Sequence, residues 1–175
     1  IPGAVFFDIN AIADQTTDLP HMLPTAEAFG AAAGALGLSR DATIVVYDAH
    51  GIYSAPRVWW TLRTMGYPGV FVLDGGLKAW RAEGRSIQTE EVAPTPVAVD
   101  AVLNPALVRD LDAVAGLLAS GGAQVVDARS GARFRGEVAE PRASLRTGHM
   151  PGALNLPFTE VVNADGTLKS VADLK

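Results

Sequence analysis

Residues 43–73 read TIVVYDAHGIYSAPRVWWTLRTMGYPGVFVL and carry the clearest secondary-structure pattern of the chain. This stretch begins with a β-branched apolar run, residues 43–47, and ends with a second apolar run, residues 70–73, and both runs are typical of buried strands. Between them, Ser54 and Pro56 begin a segment with apolar residues at helical spacing, because serine caps helices and proline costs least in the first turn. A strand, a helix and a strand in this order predict two parallel strands in an α/β domain.

The same alternation continues on both sides of this stretch. Residues 4–9 form an apolar run after a Pro-Gly turn, which predicts another buried strand. A loop is expected over residues 10–24, followed by a helix that Thr25 caps and that ends near Gly37. Downstream of the second strand, a short helix is expected over residues 77–83.

After this first cycle the composition changes and the cycle begins again. Residues 91–105 contain three prolines alternating with valine and alanine, which predicts an extended linker. A helix with an apolar stripe is expected after Pro105, ending at Gly121, and residues 123–127 predict a strand. The predicted domains are therefore residues 1–90 and 106–175, joined by the linker.

A short repeat supports two copies of one unit. Residues 150–154 read MPGAL and residues 1–5 read IPGAV, each at the start of such a cycle. If the two copies are equivalent, the 175 residues begin partway through the first copy and end partway through the second. We therefore expect the first copy to lack its beginning and the second to lack its end.

Composition and charge exclude several classes of protein. The 175 residues are 49% hydrophobic, and 14 Lys and Arg against 19 Asp and Glu give a net charge of -5. This balance argues against a nucleic acid or an anionic membrane as a partner. No apolar run approaches the roughly 18 residues that span a bilayer. No targeting segment is visible, so the cytoplasm is the default expectation.

The sequence contains no cysteine. Disulfides, thiolate-bound metals and a cysteine nucleophile are therefore excluded within these 175 residues. The three histidines, His21, His50 and His149, lack metal-ligand spacing, and no glycine-rich phosphate-binding motif is present. We expect no metal and no cofactor, and we expect His149 to stabilise the turn that follows it.

Four motifs carry a family resemblance. Residues 148–153 read GHMPGA, and residues 1–4 repeat the end of that motif; residues 73–80 read LDGGLKAW, residues 53–60 read YSAPRVWW and residues 131–136 read GARFRG. Each motif alone is moderately specific, but the ordered set spans nearly the whole chain. The chain resembles the tandem-domain rhodanese-like sulfurtransferases, the thiosulfate/3-mercaptopyruvate sulfurtransferase family.

The resemblance implies both fold and chemistry. It implies two rhodanese-like domains, each a mostly parallel sheet with helices on both faces and each incomplete in this chain. In such enzymes a cysteine thiolate takes a sulfane sulfur from 3-mercaptopyruvate or thiosulfate, becomes a persulfide, and passes the sulfur to cyanide or a thiol. In the first copy Asp48 stands at the position of that cysteine, so this copy resembles the non-catalytic half. We expect the nucleophile beyond Lys175 and expect residues 1–175 alone to be inactive.

An arginine-rich stretch is the candidate substrate site. Five arginines and two acids, Glu137 and Glu140, lie between residues 129 and 146. A guanidinium fork suits a carboxylate or the oxygens of thiosulfate. The resemblance assigns substrate binding to Arg133 and gives Arg142 the place of the second arginine that marks the mercaptopyruvate branch. The alternative is a solvated loop with surface charges.

Three residues of the first copy complete the candidate site. By resemblance, His21 belongs to a proposed relay whose acidic position corresponds to Asn10, and an asparagine cannot stabilise a charged histidine as a carboxylate does. The alternative is a histidine with a structural role. Tyr53 resembles an aromatic residue that the first copy contributes to the active-site cleft, and interface packing is its alternative.

A second function from a different class stays open at this point. A rhodanese-like domain without the cysteine would be a catalytically inactive binding or regulatory module. The residues that follow Lys175 discriminate the two hypotheses, because a cysteine there supports the enzyme and an aspartate or serine supports the binding module.

Overall fold

The computed structural model describes residues 1–142 and 145–175 and divides them into two compact units. The first unit contains Ile1–Val108 and Asp165–Thr167, and the second contains Arg109–Ala164 and Leu168–Lys175. Each unit has one pair of parallel strands with helices around it. The α/β class predicted from the sequence is confirmed.

The first unit is built around the strand, helix and strand of residues 43–73. Strand β1 spans Ile44–Val46 and strand β2 spans Val70–Val72, with helix α3, Ala55–Thr64, between them. The strands pair in parallel, as predicted from their order. Strand side chains alternate between two faces, and on the face away from the core Val45 and Phe71 are 51% and 59% exposed.

The core of the first unit lies beneath the other face of this sheet. Tyr67 is buried within it and donates its hydroxyl hydrogen to the carbonyl of Leu38 at 2.8 Å, so the polar end of the ring is satisfied. Burial raises the pKa of this tyrosine, although the charge of Arg40 opposes the shift. The buried cluster consists of Phe29, Ala33, Val58, Leu62, Met65, Tyr67 and Val70.

Two further helices of the first unit lie close to where the sequence placed them. Helix α2 spans Ala26–Ala35, and the hydroxyl of Thr25 accepts the N–H of Ala28 as the predicted cap. Helix α4 spans Gly76–Ala82. It follows Gly75, which has a φ of 72°, and only glycine adopts that conformation without strain.

The strand predicted over residues 4–9 is wrong. This segment has no strand, and Phe6 is 82% exposed. The chain instead enters helix α1, Ile9–Ile12, because the carboxylate of Asp8 accepts the backbone N–H groups of the first helical turn and ends the extended segment. Phe7 still packs near Phe29, with ring centres 6.4 Å apart.

The predicted linker is extended and packs against α2. Its residues before Pro105 have no helix or strand, and the N–H of Val97 donates to the carbonyl of Gly34 at 3.0 Å. A Cβ atom on Gly34 would lie 2.5 Å from the carbonyl oxygen of Val97, closer than real atoms approach. Glycine at this position therefore allows the extended segment to contact the helix. A short 3₁₀ turn, Pro105–Leu107, follows.

In the second unit, helix α5 spans Leu111–Ser120 and begins later than predicted. The expectation of a helix directly after Pro105 is wrong, because the carboxylate of Asp110 caps the helix by accepting the N–H of Ala113. The helix ends at Gly121, as predicted, with a φ of 66°.

The second pair of strands is short. Strand β3, Val126–Asp127, pairs in parallel with β4, Leu154–Asn155. Helix α6, Gly131–Phe134, follows β3, and a 3₁₀ turn, Phe158–Glu160, follows β4. No helix in the described part of the chain has the length and apolar character that a membrane crossing requires.

Candidate functional site

The arginine-rich loop of the second unit begins where β3 ends. The side-chain amide of Asn155, on the neighbouring strand, donates to the carbonyl oxygens of Asp127 and Arg129, both at 2.9 Å. These two bonds fix the path of the backbone from β3 towards α6. The turn that carries the arginines is therefore tied to the sheet.

Arg129 lies at the centre of this loop, and each of its three nitrogens is engaged. Its Nε donates to both carboxylate oxygens of Asp127 at 3.0 Å, its Nη1 donates to Glu140 at 2.8 Å, and its Nη2 donates to Asp127 and to the carbonyl of Gly148. The hydrogen bonds to Asp127 raise the pKa of this arginine. Arg129 therefore cross-links the loop.

Glu140 joins Arg129 to Arg133. Its side chain is 2% exposed, and its carboxylate accepts the Nε of Arg133 at 3.2 Å on both oxygens and the Nη2 on one of them. The hydrogen bonds from Arg133 hold the pKa of Glu140 below its usual value against the opposing effect of burial. Both side chains are therefore charged, and Arg133 is gripped along one edge of its guanidinium group.

Glu140 bonds to only one edge of the Arg133 guanidinium group, and the opposite edge, with Nη1, is open. The Arg133 side chain is 32% exposed, and within residues 1–142 and 145–175 no acceptor bonds to its Nη1. This open edge carries the donors that match a small oxyanion. Arg133, one of the two arginines predicted to contact the substrate, is thus held along one side and exposed along the other, and its role in substrate binding stays a prediction.

The other arginines of the loop differ from this pair. Arg135 forms an exposed ion pair with Glu137, with 2.7 Å between Nε and Oε1. Arg142 is exposed, and no ion pair to it is found among the described residues; the next two residues, 143 and 144, lie outside them. The structure therefore brings Arg133 together with Arg129 and Glu140 and leaves Arg142 at the surface of its unit.

The end of α6 is held by His149. The Nδ1 of His149 donates to the carbonyl of Phe134 at 2.6 Å, and the two rings stack with their centres 3.6 Å apart. This contact ties the turn before β4 to the last turn of α6. The structural role predicted for His149 is confirmed, and it supports the helix that carries Arg133.

In the first unit, His21 and Asn10 do not form a bonded pair. His21 is exposed and has a φ of 57°, and its carbonyl accepts the Nη2 of Arg57. Asn10 is exposed at the start of α1, where its N–H donates to Asp8. Among the described residues no hydrogen bond joins the two side chains. The predicted relay stays a prediction.

Asp48 lies two residues after the end of β1, and its carboxylate accepts four backbone N–H groups. The Oδ1 atom accepts the N–H of His50 at 2.8 Å, and Oδ2 accepts the N–H groups of Tyr53, Ser54 and Ala55 at 2.8, 2.8 and 2.9 Å. Burial raises the pKa of this carboxyl, but the four donors outweigh that effect and hold the pKa below its usual value. An anion-holding loop is therefore present here, and Asp48 fills it.

This arrangement corrects the expected cap of α3. The sequence predicted that Ser54 would cap the helix, but its side chain makes no capping bond. Asp48 takes that role from across the loop, because its carboxylate reaches the N–H groups of the first turn. Tyr53, the third predicted site residue of this unit, is 67% exposed, and its ring lies edge-on to His50 at 5.8 Å.

Sequence reasoning missed the role of Glu140. It counted this residue only as an acid that lowers the charge of the loop. The signal that could have found it is its place among arginines, with Arg133 and Arg135 before it and Arg142 and Arg146 after it. A carboxylate in such a position needs a cationic partner, because burying it unpaired is costly.

Comparison with known proteins extends over the whole chain. Residues 1–83 match the model of the family described as the rhodanese-like domain. A 3-mercaptopyruvate sulfurtransferase of Escherichia coli strain K12 is 47% identical over 176 residues, which are 99% of this chain and 62% of that protein. A 3-mercaptopyruvate sulfurtransferase of Homo sapiens is 42% identical over 177 residues, covering 100% of this chain and 60% of that protein.

A solved structure gives the same result for the fold. The crystal structure of SseA from Escherichia coli, described as a 3-mercaptopyruvate sulfotransferase with the rhodanese fold, superposes with a TM-score of 0.90 at 44% sequence identity. The superposed residues make up 99% of this chain and 64% of the SseA chain. The chain thus spans about three fifths of the length of the curated relatives described above.

Proposed function

Because the chain belongs to the rhodanese-like family, we propose that the protein is a sulfurtransferase that moves a sulfane sulfur from 3-mercaptopyruvate or thiosulfate to cyanide or a thiol. The similarity to two 3-mercaptopyruvate sulfurtransferases over 99% or more of the chain supports this activity over a catalytically inactive binding module. No metal or cofactor takes part in the proposed reaction.

The proposed chemistry is covalent catalysis by a cysteine. A thiolate attacks the outer sulfur of thiosulfate, a new S–S bond forms, and the old S–S bond breaks as sulfite leaves. With 3-mercaptopyruvate the C–S bond breaks, and the carbon fragment leaves as an enolate that takes a proton to become pyruvate. Cyanide then attacks the terminal sulfur, which regenerates the thiolate and releases thiocyanate. The 175 residues contain no cysteine, so we propose that the nucleophile lies beyond Lys175.

The observation that carries this proposal within the chain is the open edge of Arg133. Its guanidinium group is fixed along the Nε and Nη2 side by Glu140, while Nη1 has no acceptor among the described residues. In the proposed reaction this edge binds the carboxylate of 3-mercaptopyruvate or the oxygens of thiosulfate. The same donors stabilise the charge that remains on the departing fragment.

Arg142 is the proposed second contact for the donor. It is exposed and carries a charge that no described residue neutralises through an ion pair, so it is available to a second oxyanion. We propose that it favours 3-mercaptopyruvate, while Asn10 in place of an acid weakens the relay through His21. Tyr53 remains a proposed aromatic contact of the cleft, and the cytoplasm remains the proposed location.

Thiocyanate formation tests the proposed activity. The full-length gene product should form thiocyanate from cyanide with at least one donor, and Arg133→Ala should lower kcat/KM for both donors about 100-fold, because a charge-assisted bidentate contact is lost. Arg142→Ala should lower it more for 3-mercaptopyruvate than for thiosulfate. Turnover by residues 1–175 alone would refute the cysteine mechanism. If the full-length gene product forms no thiocyanate with 3-mercaptopyruvate and none with thiosulfate, the inactive binding module is favoured.

A further inference from the structure

Glu140 is the one charged residue that is buried in the described part of the chain, and it lies between two guanidinium groups. Burying a carboxylate costs more free energy than burying an apolar residue of similar size. A buried glutamate in this loop therefore suggests a role beyond packing. Its Oε1 accepts the Nη1 of Arg129 at 2.8 Å, and both its oxygens accept donors of Arg133. The two arginines are thereby held side by side despite their like charges.

The two arginines are not equivalent in this cluster. Every nitrogen of Arg129 has an acceptor, and the carboxylate of Asp127 holds it independently of Glu140. Among the described residues the side chain of Arg133 bonds to Glu140 alone, through Nε and Nη2. The loss of Glu140 would therefore leave Arg129 anchored and would release Arg133.

We propose that Glu140 is a positioning residue, which holds the guanidinium plane of Arg133 so that its open edge is presented to the anionic sulfur donor. This inference rests on the proposed function for the identity of the anion. Glu140 itself uses its two oxygens on the arginines and does not touch the donor. Its contribution is to fix one orientation of a long side chain before the anion arrives.

Two physical effects of opposite sign make the inference testable. Replacing Glu140 by glutamine removes a negative charge beside Arg133, and this alone would strengthen the binding of an anion. The same change releases the guanidinium group, which must then be ordered by the anion itself, and it puts a glutamine NH₂ donor beside an arginine donor. If Glu140 positions Arg133, the anion binds more weakly; if it only neutralises charge, the anion binds more tightly.

Calorimetric titration of residues 1–175 with thiosulfate is the first measurement, because this chain has no thiol and cannot turn the anion over. We expect Glu140→Gln to weaken thiosulfate binding about tenfold, as loss of orientation outweighs the removed charge. Glu137→Gln is the matched control, since Glu137 pairs with Arg135 in the same loop but is 54% exposed. That variant should bind thiosulfate within about twofold of the unmodified chain. Unchanged or tighter binding by Glu140→Gln would overturn the inference.

Arginine side-chain NMR is the second measurement, and it does not depend on the proposed function. We expect the Nε–H signal of Arg133 to be sharp and protected in the unmodified chain and in Glu137→Gln, and to be averaged with solvent in Glu140→Gln, while Arg129 stays protected. An Arg133 signal that is unchanged in Glu140→Gln would overturn the positioning role. If the unmodified chain shows this protection but binds no thiosulfate, the positioning role stands and the identity proposed for the anion is wrong.

Glu140→Asp keeps the test decisive if the glutamine variant does not fold. It preserves the charge and withdraws the carboxylate by one methylene group, so the fork on Arg133 is loosened but not lost. We expect thiosulfate binding about threefold weaker than in the unmodified chain and an Nε–H signal of intermediate protection. Binding and protection equal to those of the unmodified chain would show that the reach of Glu140 is irrelevant, and the inference would fail.

Discussion

Two carboxylates, Asp48 in the first unit and Glu140 in the second, are held in opposite ways. Asp48 accepts four N–H groups of the backbone, and all of them come from its own loop and the first turn of α3. Glu140 accepts only side-chain donors, from Arg129 and Arg133. Each carboxylate accepts several hydrogen bonds within a loop, but the donors differ in kind.

The difference separates a structural loop from a loop that can bind a ligand. Backbone donors are fixed by the path of the chain, and four of those in this loop and at the start of α3 already bond to the carboxylate of Asp48. A guanidinium group has more donors than one carboxylate can accept. Arg133 therefore keeps capacity for a ligand while it is held in place by Glu140.

The largest expected effect is a loss of stability of the first unit when Asp48, the carboxylate bound by backbone donors, is replaced. Asp48→Ala should lower the free energy of unfolding of the first unit by about 2 kcal/mol, because it removes a helix cap and leaves several N–H groups without their acceptor. Urea unfolding followed by tryptophan fluorescence measures this. All three tryptophans, Trp59, Trp60 and Trp80, lie in the first unit, so the signal reports on that unit.

Asp41→Ala is the matched control for this experiment. Asp41 lies just before β1, is exposed, and accepts no hydrogen bond with its side chain in the described structure. We expect its replacement to change the free energy of unfolding by less than about 0.5 kcal/mol. Equal stability of the two variants would show that the four bonds to Asp48 contribute nothing to the fold.

A smaller effect should separate the two arginines that hold Glu140. Arg129→Lys should lower the thermal midpoint of the second unit, because a lysine cannot reach Asp127, Glu140 and Gly148 at once. Arg133→Lys should leave this midpoint nearly unchanged but weaken thiosulfate binding. Circular dichroism and calorimetric titration of both variants measure this. The reverse order, in which Arg133→Lys unfolds more readily than Arg129→Lys, would break the distinction.

The smallest effect is a pH dependence of the first unit. The pKa of Asp48 is lower in the folded chain than the usual value of about 3.9. Its contribution is therefore fully present above that value and is lost as the pH falls through the folded pKa. The difference in free energy of unfolding between the unmodified chain and Asp48→Asn should be constant from pH 7 to about pH 5 and narrow towards about pH 3. A difference that does not narrow would contradict the ionised state of Asp48.

Local patterns predicted the fold well where the sequence signal was strong. The strands of residues 44–46 and 70–72 and the helix between them follow from apolar runs, helical spacing and turn residues, and α2 follows from its cap at Thr25. The strand prediction for residues 4–9 was wrong because an apolar run alone does not distinguish a strand from an extended segment without strand partners. The carboxylate of Asp8 ended that segment by capping α1.

The candidate site was predicted only in part, because its key contacts join residues that are distant in sequence. The cluster of arginines and the place of Arg133 follow from motif and charge. The burial of Glu140 and the bond from Arg129 to Gly148 depend on how the loop folds back on itself. The cap of α3 by Asp48 likewise bridges six or seven residues, beyond the reach of the Ser54 pattern.

We propose that the open edge of Arg133 binds a small anion. Calorimetric titration measures this binding when thiosulfate is added to residues 1–175, to Arg133→Ala and to Arg135→Ala. Removal of Arg133 should abolish measurable binding, whereas removal of Arg135, whose exposed ion pair with Glu137 occupies it, should leave binding within about twofold of the unmodified chain. If Arg133→Ala binds thiosulfate as tightly as the unmodified chain does, Arg133 is not the anion-binding residue.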